Sequence, residues 1–175
     1  MIVGMSIQVF TIVHVIISLF AIASGLLVVC GMICSRWLPK LTVLFWVMTA
    51  LTSVTGFMFF LSPAQPKMFT PAAGTGLVAT IVLLIALMAL YARHLYGRWR
   101  WIYALGVVIS LYLNVFVLIV QVFEKVKLVN PAAPMIGPPF AESTQFQFVV
   151  TQATALLIFA MLGLVAAIKF RRAPI

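Results

Sequence analysis

Residues 7–33 read IQVFTIVHVIISLFAIASGLLVVCGMI, without a single Asp, Glu, Lys or Arg. A helix that crosses the hydrocarbon core of a bilayer needs about 20 mostly apolar residues. This run is long enough, and four more follow: Leu41–Leu61, Gly76–Ala92, Trp101–Phe123 and Phe146–Ile168, each uncharged within its limits. Backbone polar groups in lipid must be satisfied within helices or closed barrels. The runs do not alternate every second residue, so they predict helices. The expected fold is all-α: a polytopic bundle of five transmembrane helices forming one domain over residues 1–175.

Composition supports the same solvent. The 175 residues are 65% hydrophobic and 7% charged, against about 25% charged in a soluble domain. A net charge of +9 first suggests nucleic acid. The basic residues are instead spread between apolar runs with no recognition module, which excludes that partner. Residues 1–10, MIVGMSIQVF, lack a positive start, and the apolar run continues past Ala21–Ala23, so the segment reads as a retained first span rather than a signal peptide. Two cysteines are too few for a disulfide framework.

Charge orders the connections. CSRWLPK (34–40) has two basic residues, ARHLYGRWR (92–100) has three besides a His, and KFRRAPI (169–175) has three. The other side holds an uncharged amino terminus, SPAQPKMFTPAAGT (62–75) with one Lys, and a loop over 124–145 with two Lys and two Glu. By the positive-inside rule the basic side is cytoplasmic. The expectation is N-terminus out and C-terminus in, as a multi-pass protein of a bacterial inner membrane. Trp37, Trp99 and Trp101 fall at cytoplasmic boundaries, where interfacial aromatics sit. Pro63, Pro66 and Pro71 fall in the first outer loop, and Pro131, Pro134, Pro138 and Pro139 in the second. No internal repeat of the kind that marks many transporters is visible.

At about 1.5 Å per residue, polar residues can be given depths. His14, Thr52, Ser53, Thr55, Asn114, Gln121, Gln147, Thr151, Gln152 and Thr154 fall in the outer half. The third helix contributes only Thr80 and is expected to be the most lipid-exposed. The inner half carries Ser24, Thr42, Thr49 and Ser110. Thr11, His14, Ser18, Ala21 and Gly25 follow the 3–4 spacing of one helical face, a small-residue stripe that admits close helix packing. His14, Thr52, Thr55, Asn114, Gln121, Thr151 and Gln152 are therefore the candidate ligand-binding residues. Three readings stay open for this layer: glue between helices, a pocket for a small hydrophobic or amphipathic molecule, and a transport path. An intramembrane ionisable residue points to a functional site, which puts His14 first.

Catalytic chemistry has little to build on. The chain has no Asp, and its two carboxylates, Glu124 and Glu142, flank the outer loop, where ion pairs with Lys125 or Lys127 are expected. Paired haem ligation fails because His94, the second histidine, falls at the opposite face; a haem with His14 as its single protein ligand remains open. No metal site is expected: His14 has no Cys, Asp or Glu at its depth. Cys30 and Cys34 are expected to be buried small hydrophobes. Quinones fit better, because their carbonyls can accept hydrogen bonds from His, Asn, Gln or Thr. FEKVKLV (123–129) suggests a short interfacial strand or an amphipathic turn, with the Pro-rich stretch after it as a cover or a plain connector.

LTSVTGFMFFLSP (51–63), LYLNVFVLIVQVFEKV (111–126) and PPF (138–140), followed by Gln152, together resemble a group of small, functionally uncharacterised bacterial integral membrane proteins. That group has an acidic residue before the paired prolines, where Gly137 stands here. The resemblance implies a compact inner-membrane bundle and no site residues. A likeness to small membrane cytochromes b stops at their histidine pairs, which this chain lacks. The expected function is binding of a small hydrophobic ligand or a partner subunit through the outer polar layer. The alternatives are a redox protein using quinone or haem at His14, a small transporter of a neutral solute, and a structural accessory subunit; a homo-oligomer is a possible assembly.

Overall fold

In the computed structural model residues 4–61, 71–127, 129 and 142–171 are described. They form α1 (Ile7–Ile33), α2 (Pro39–Leu61), α3 (Pro71–Leu87) continued by a π-helical turn (Met88–Ala92), α4 (Trp99–Lys125) and α5 (Glu142–Phe170). There is no strand among the described residues. Five helices are long and apolar enough to cross a membrane, and each apolar run of the sequence lies within one of them. The remainder of both Pro-rich loops lies outside the described residues. Pro71 opens α3 rather than lying in a loop, and Pro39 likewise opens α2, because a proline costs least in the first helical turn, where its missing N–H would be unpaired anyway.

Local chemistry sets the ends. Ser6 caps α1, its side chain accepting from the Val9 N–H at 3.3 Å. After α1, Ser35 takes a left-handed φ of 53°, which brings the Arg36 N–H within 2.8 Å of the Gly31 carbonyl. Leu38 packs directly on Gly31, where a Cβ would lie 2.6 Å from Leu38 Cδ1. The FEKVKLV stretch is not a strand. Its first residues complete α4, and the Val129 N–H then closes a turn onto the Val126 carbonyl.

Consecutive helices run antiparallel. α1 packs on α2, α4 and α5; α3 packs on α2 and α4; and α4 packs on α5. One end of the bundle therefore carries the amino terminus and the other the basic connections. α4 is the most buried helix, with 39% of its most apolar membrane-length stretch inside the bundle. α5 is the least, at 17%, against 22% for α3. The expectation that α3 is the most exposed is thus corrected. Counting polar residues misjudged α3, because it packs through small apolar residues: Ala79, Ala86 and Ala89 are buried, and a Cβ on Gly106 of α4 would lie 2.7 Å from Ala86 Cβ.

The small-residue face of α1 behaves as expected. Ala21 and Gly25 are buried and Thr11, His14 and Ser18 half-buried, and a Cβ at Gly25 would meet Phe45 of α2 at 2.7 Å and Leu111 of α4 at 2.8 Å. Cys30 and Cys34 are exposed, contrary to the expected burial. On this last turn of α1 the buried positions are Val28, Val29, Gly31 and Met32, so the cysteines point away from the core.

Candidate functional site

The close approach of α1 to α2 places His14 against Thr55, with Nδ1 2.6 Å from Oγ1. Thr55 has one hydroxyl proton. Its own helix takes that proton, through the Leu51 carbonyl at 2.7 Å and the Thr52 carbonyl at 3.2 Å. With that proton on its own helix, Oγ1 is free to accept from His14 Nδ1–H, the tautomer that leaves the lone pair on Nε2. Phe59 holds the imidazole edge-to-face, with ring centroids 5.5 Å apart and planes at 89°, and Phe10 in turn packs on Phe59. Gly56 leaves space beside the ring, since a Cβ there would lie 3.8 Å from His14 Cε1. Nε2 makes no hydrogen bond to the described residues and is not among the sealed polar atoms of the interior. His14 is half-buried: one nitrogen is fixed on α2 and the other is open.

The other candidates do not join this pair in one network. Asn114 reaches Thr49, with Nδ2 donating to Oγ1 at 3.5 Å, linking α4 to α2. Gln152 Nε2 donates to the Phe116 carbonyl at 3.2 Å, linking α5 to α4. Gln121 donates to Glu124 Oε2 at 3.2 Å within α4. Thr52 and Thr151 turn back onto their own helices, donating to the Met48 and Gln147 carbonyls, and Thr151 is exposed. Thr11, Ser18, Ser24 and Thr80 do the same. A hydroxyl that bonds the carbonyl four residues back satisfies itself, so it needs no neighbour in an apolar setting. This is why a layer that looks continuous in sequence resolves into separate pairs.

A second polar region lies nearer the basic end, and sequence reading missed most of it. Tyr103 is fully buried among Trp37, Trp46 and Phe170, with ring centroids 5.8–6.1 Å away. Its hydroxyl faces Thr42 and the Trp46 indole. Yet Tyr103 Oη, Thr42 Oγ1 and Trp46 Nε1 are all sealed without a hydrogen bond of good geometry. Ser110 Oγ and Gln152 Oε1 are also unpartnered. Antiparallel topology puts residues 37, 46, 103 and 170 near one level, but which of their faces meet is set by the packing of separate helices. Trp37 thus serves the packed interior rather than an interface alone.

Among the described residues no group of three His, Cys, Asp or Glu could hold a metal ion. Glu124 accepts from Gln121, and the side chain of Glu142 lies outside those described. His94 is exposed in the α3–α4 connection, at the opposite end from His14. No family model, curated protein or solved structure matches the chain.

Proposed function

We propose that this protein is a membrane-embedded binder of a small amphipathic molecule with a hydrogen-bond-donating head group, such as the quinol form of a quinone, engaged at His14. One observation carries the reading: Thr55 and Phe59 fix the imidazole while Nε2 stays open. A histidine oriented through one nitrogen and presented through the other is how proteins prepare an imidazole for a partner. With Nδ1 protonated, Nε2 accepts from a hydroxyl or amide head, and a quinol hydroxyl is such a donor. The same nitrogen could hold a singly ligated haem iron, which a Soret band would reveal.

A second reading has its own support. Asn114–Thr49 and Gln152–Phe116 tie neighbouring helices together, as expected of a structural subunit whose polar groups serve packing. The sorting of basic residues supports an N-out, C-in orientation in a bacterial inner membrane. A reporter fused after Ile175 is expected to read cytoplasm.

The test is extraction. The wild type and His14→Ala, captured with native lipid in polymer discs, would be extracted with organic solvent and analysed by mass spectrometry. Binding predicts one apolar compound enriched near stoichiometrically in the wild type and lost in His14→Ala. No enrichment, or enrichment that survives the substitution, overturns the reading. Lower stability without loss of a compound supports the structural subunit.

A further inference from the structure

The α3–α4 connection is an anchored loop, not a loose one. The Arg93 N–H closes the π-helical turn on the Met88 carbonyl, and the Leu95 N–H reaches back to the Ala89 carbonyl at 3.0 Å. His94, Leu95 and Gly97 take left-handed φ values of 46°, 55° and 57°. Two of these are non-glycine residues, whose strain is offset by burying the Leu95 side chain in the core. With Leu95 as a plug, Arg93, Tyr96, Arg98 and Trp99 surround an open concavity of about 550 Å³. Arg93 stands over the Trp99 ring at 5.2 Å from its centroid.

Among the described residues no acidic side chain answers the charge in this concavity. The chain's only side-chain carboxylates are Glu124 and Glu142, at the end of α4 and the start of α5, the far end of the bundle. The basic end holds Arg36, Lys40, Arg93, Arg98, Arg100, Lys169 and Arg171 without one acidic side chain among the described residues. Arg100 is committed to structure, donating to the Arg171 carbonyl at 3.0 Å as α5 ends. Arg98 and the guanidinium of Arg93, which stacks on Trp99, have no acidic side chain beside them among the described residues. Directly along the helix from the concavity, Leu77, Leu84, Met88 and Tyr91 are exposed on one side of α3 and its π-helical turn.

From this juxtaposition we infer that Arg93 and Arg98 bind the phosphate of an anionic phospholipid, with Tyr96 and Trp99 at head-group level and an acyl chain along the exposed side of α3. Guanidinium groups pair with phosphate oxygens through several donors at once, and basic pockets between membrane helices recognise anionic head groups. The continuous apolar track favours a lipid over a free phosphate ion.

The experiment is native mass spectrometry of the purified chain in detergent, titrated with phosphatidylglycerol, phosphatidylcholine or inorganic phosphate. The expected result is selective retention of phosphatidylglycerol, unaffected by excess inorganic phosphate. Arg93→Gln with Arg98→Gln is expected to reduce that selectivity about 30-fold. Arg36→Gln with Lys40→Gln makes the same charge change at the other basic turn and is expected to leave the selectivity in place. Circular dichroism would confirm that each pair of substitutions keeps the helices, and Arg98→Gln alone serves if the first pair does not fold. Equal binding of both lipids overturns the inference, as does equal loss from both pairs of substitutions. Displacement by inorganic phosphate would overturn the lipid assignment.

Discussion

Replacing Gly25 by alanine tests the packing that brings His14 to Thr55. The added Cβ would sit 2.7 and 2.9 Å from Phe45 Cε2 and Cδ2, and 2.8 Å from Leu111 Cδ1. Both neighbours are fully buried, and a phenyl ring cannot shorten itself by rotating a terminal methyl. α1 must therefore move away from α2 and α4 at this level. Overpacking of this kind costs about 1–3 kcal/mol, while replacing a helical glycine by alanine returns up to about 1 kcal/mol. The net expectation is a loss of about 1–2 kcal/mol from these two opposing effects. Gly163→Ala is the control, because its Cβ would meet Val108 Cγ1 at 3.4 Å and Leu105 Cδ2 at 3.6 Å, ordinary contact distances. It should be neutral or slightly stabilising. Reversible unfolding in mixed detergent micelles would measure both. A cycle with Leu111→Ala should show favourable coupling, since that change removes one of the atoms in the way. A Gly25→Ala protein as stable as Gly163→Ala, or a cycle without coupling, refutes the reasoning.

Other perturbations follow from particular contacts. Gly106→Ala places a Cβ 2.7 Å from Ala86 Cβ and is expected to lose about 1–3 kcal/mol, with partial recovery on adding Ala86→Gly. Tyr103→Phe deletes a buried hydroxyl that faces Thr42 and Trp46 without a hydrogen bond of good geometry, so a gain of about 1 kcal/mol is expected in thermal unfolding; a loss would show that the hydroxyl does have a partner. Tyr103→Ala, by contrast, should lose about 3–5 kcal/mol as the aromatic node empties. Thr55→Val removes the acceptor for His14 Nδ1–H and should cost about 0.6–1.7 kcal/mol. With only two histidines in the chain, nitrogen-15 spectra should show His14 as the Nδ1–H tautomer in the wild type. Observation of the Nε2–H form would contradict the assigned network.

The five helices were legible because hydrophobic length is a property of the chain alone. Facing was legible where one strong signal acted, as with Ala21 and Gly25 on the packed side of α1. The polar layer was less so. Depth places Thr52, Thr151 and His14 on one level, but whether a hydroxyl seeks a neighbour or its own helix depends on side-chain rotamer, which composition does not reveal. The exposure of Cys30 and Cys34 was missed for a related reason: a buried preference by residue type gave way to the glycine and valines that occupy the packed face. The Tyr103 node needed residues from α2, α4 and α5 and the α1–α2 turn to be placed together, a long-range fact. The α3–α4 loop showed its charges in sequence, but not the left-handed turns and the Leu95 anchor that arrange them.

The central position of α4 has a consequence for how the protein is made. During synthesis α1, α2 and α3 leave the ribosome first, and none of them can complete its packing alone. Gly25 waits for Leu111, Thr49 for Asn114, and Ala86 for Gly106. The three-helix intermediate therefore carries a ready-made slot, open along its length, until the fourth helix arrives to fill it. A substitution that slows that step would be felt as misassembly and degradation, even where the finished bundle tolerates it.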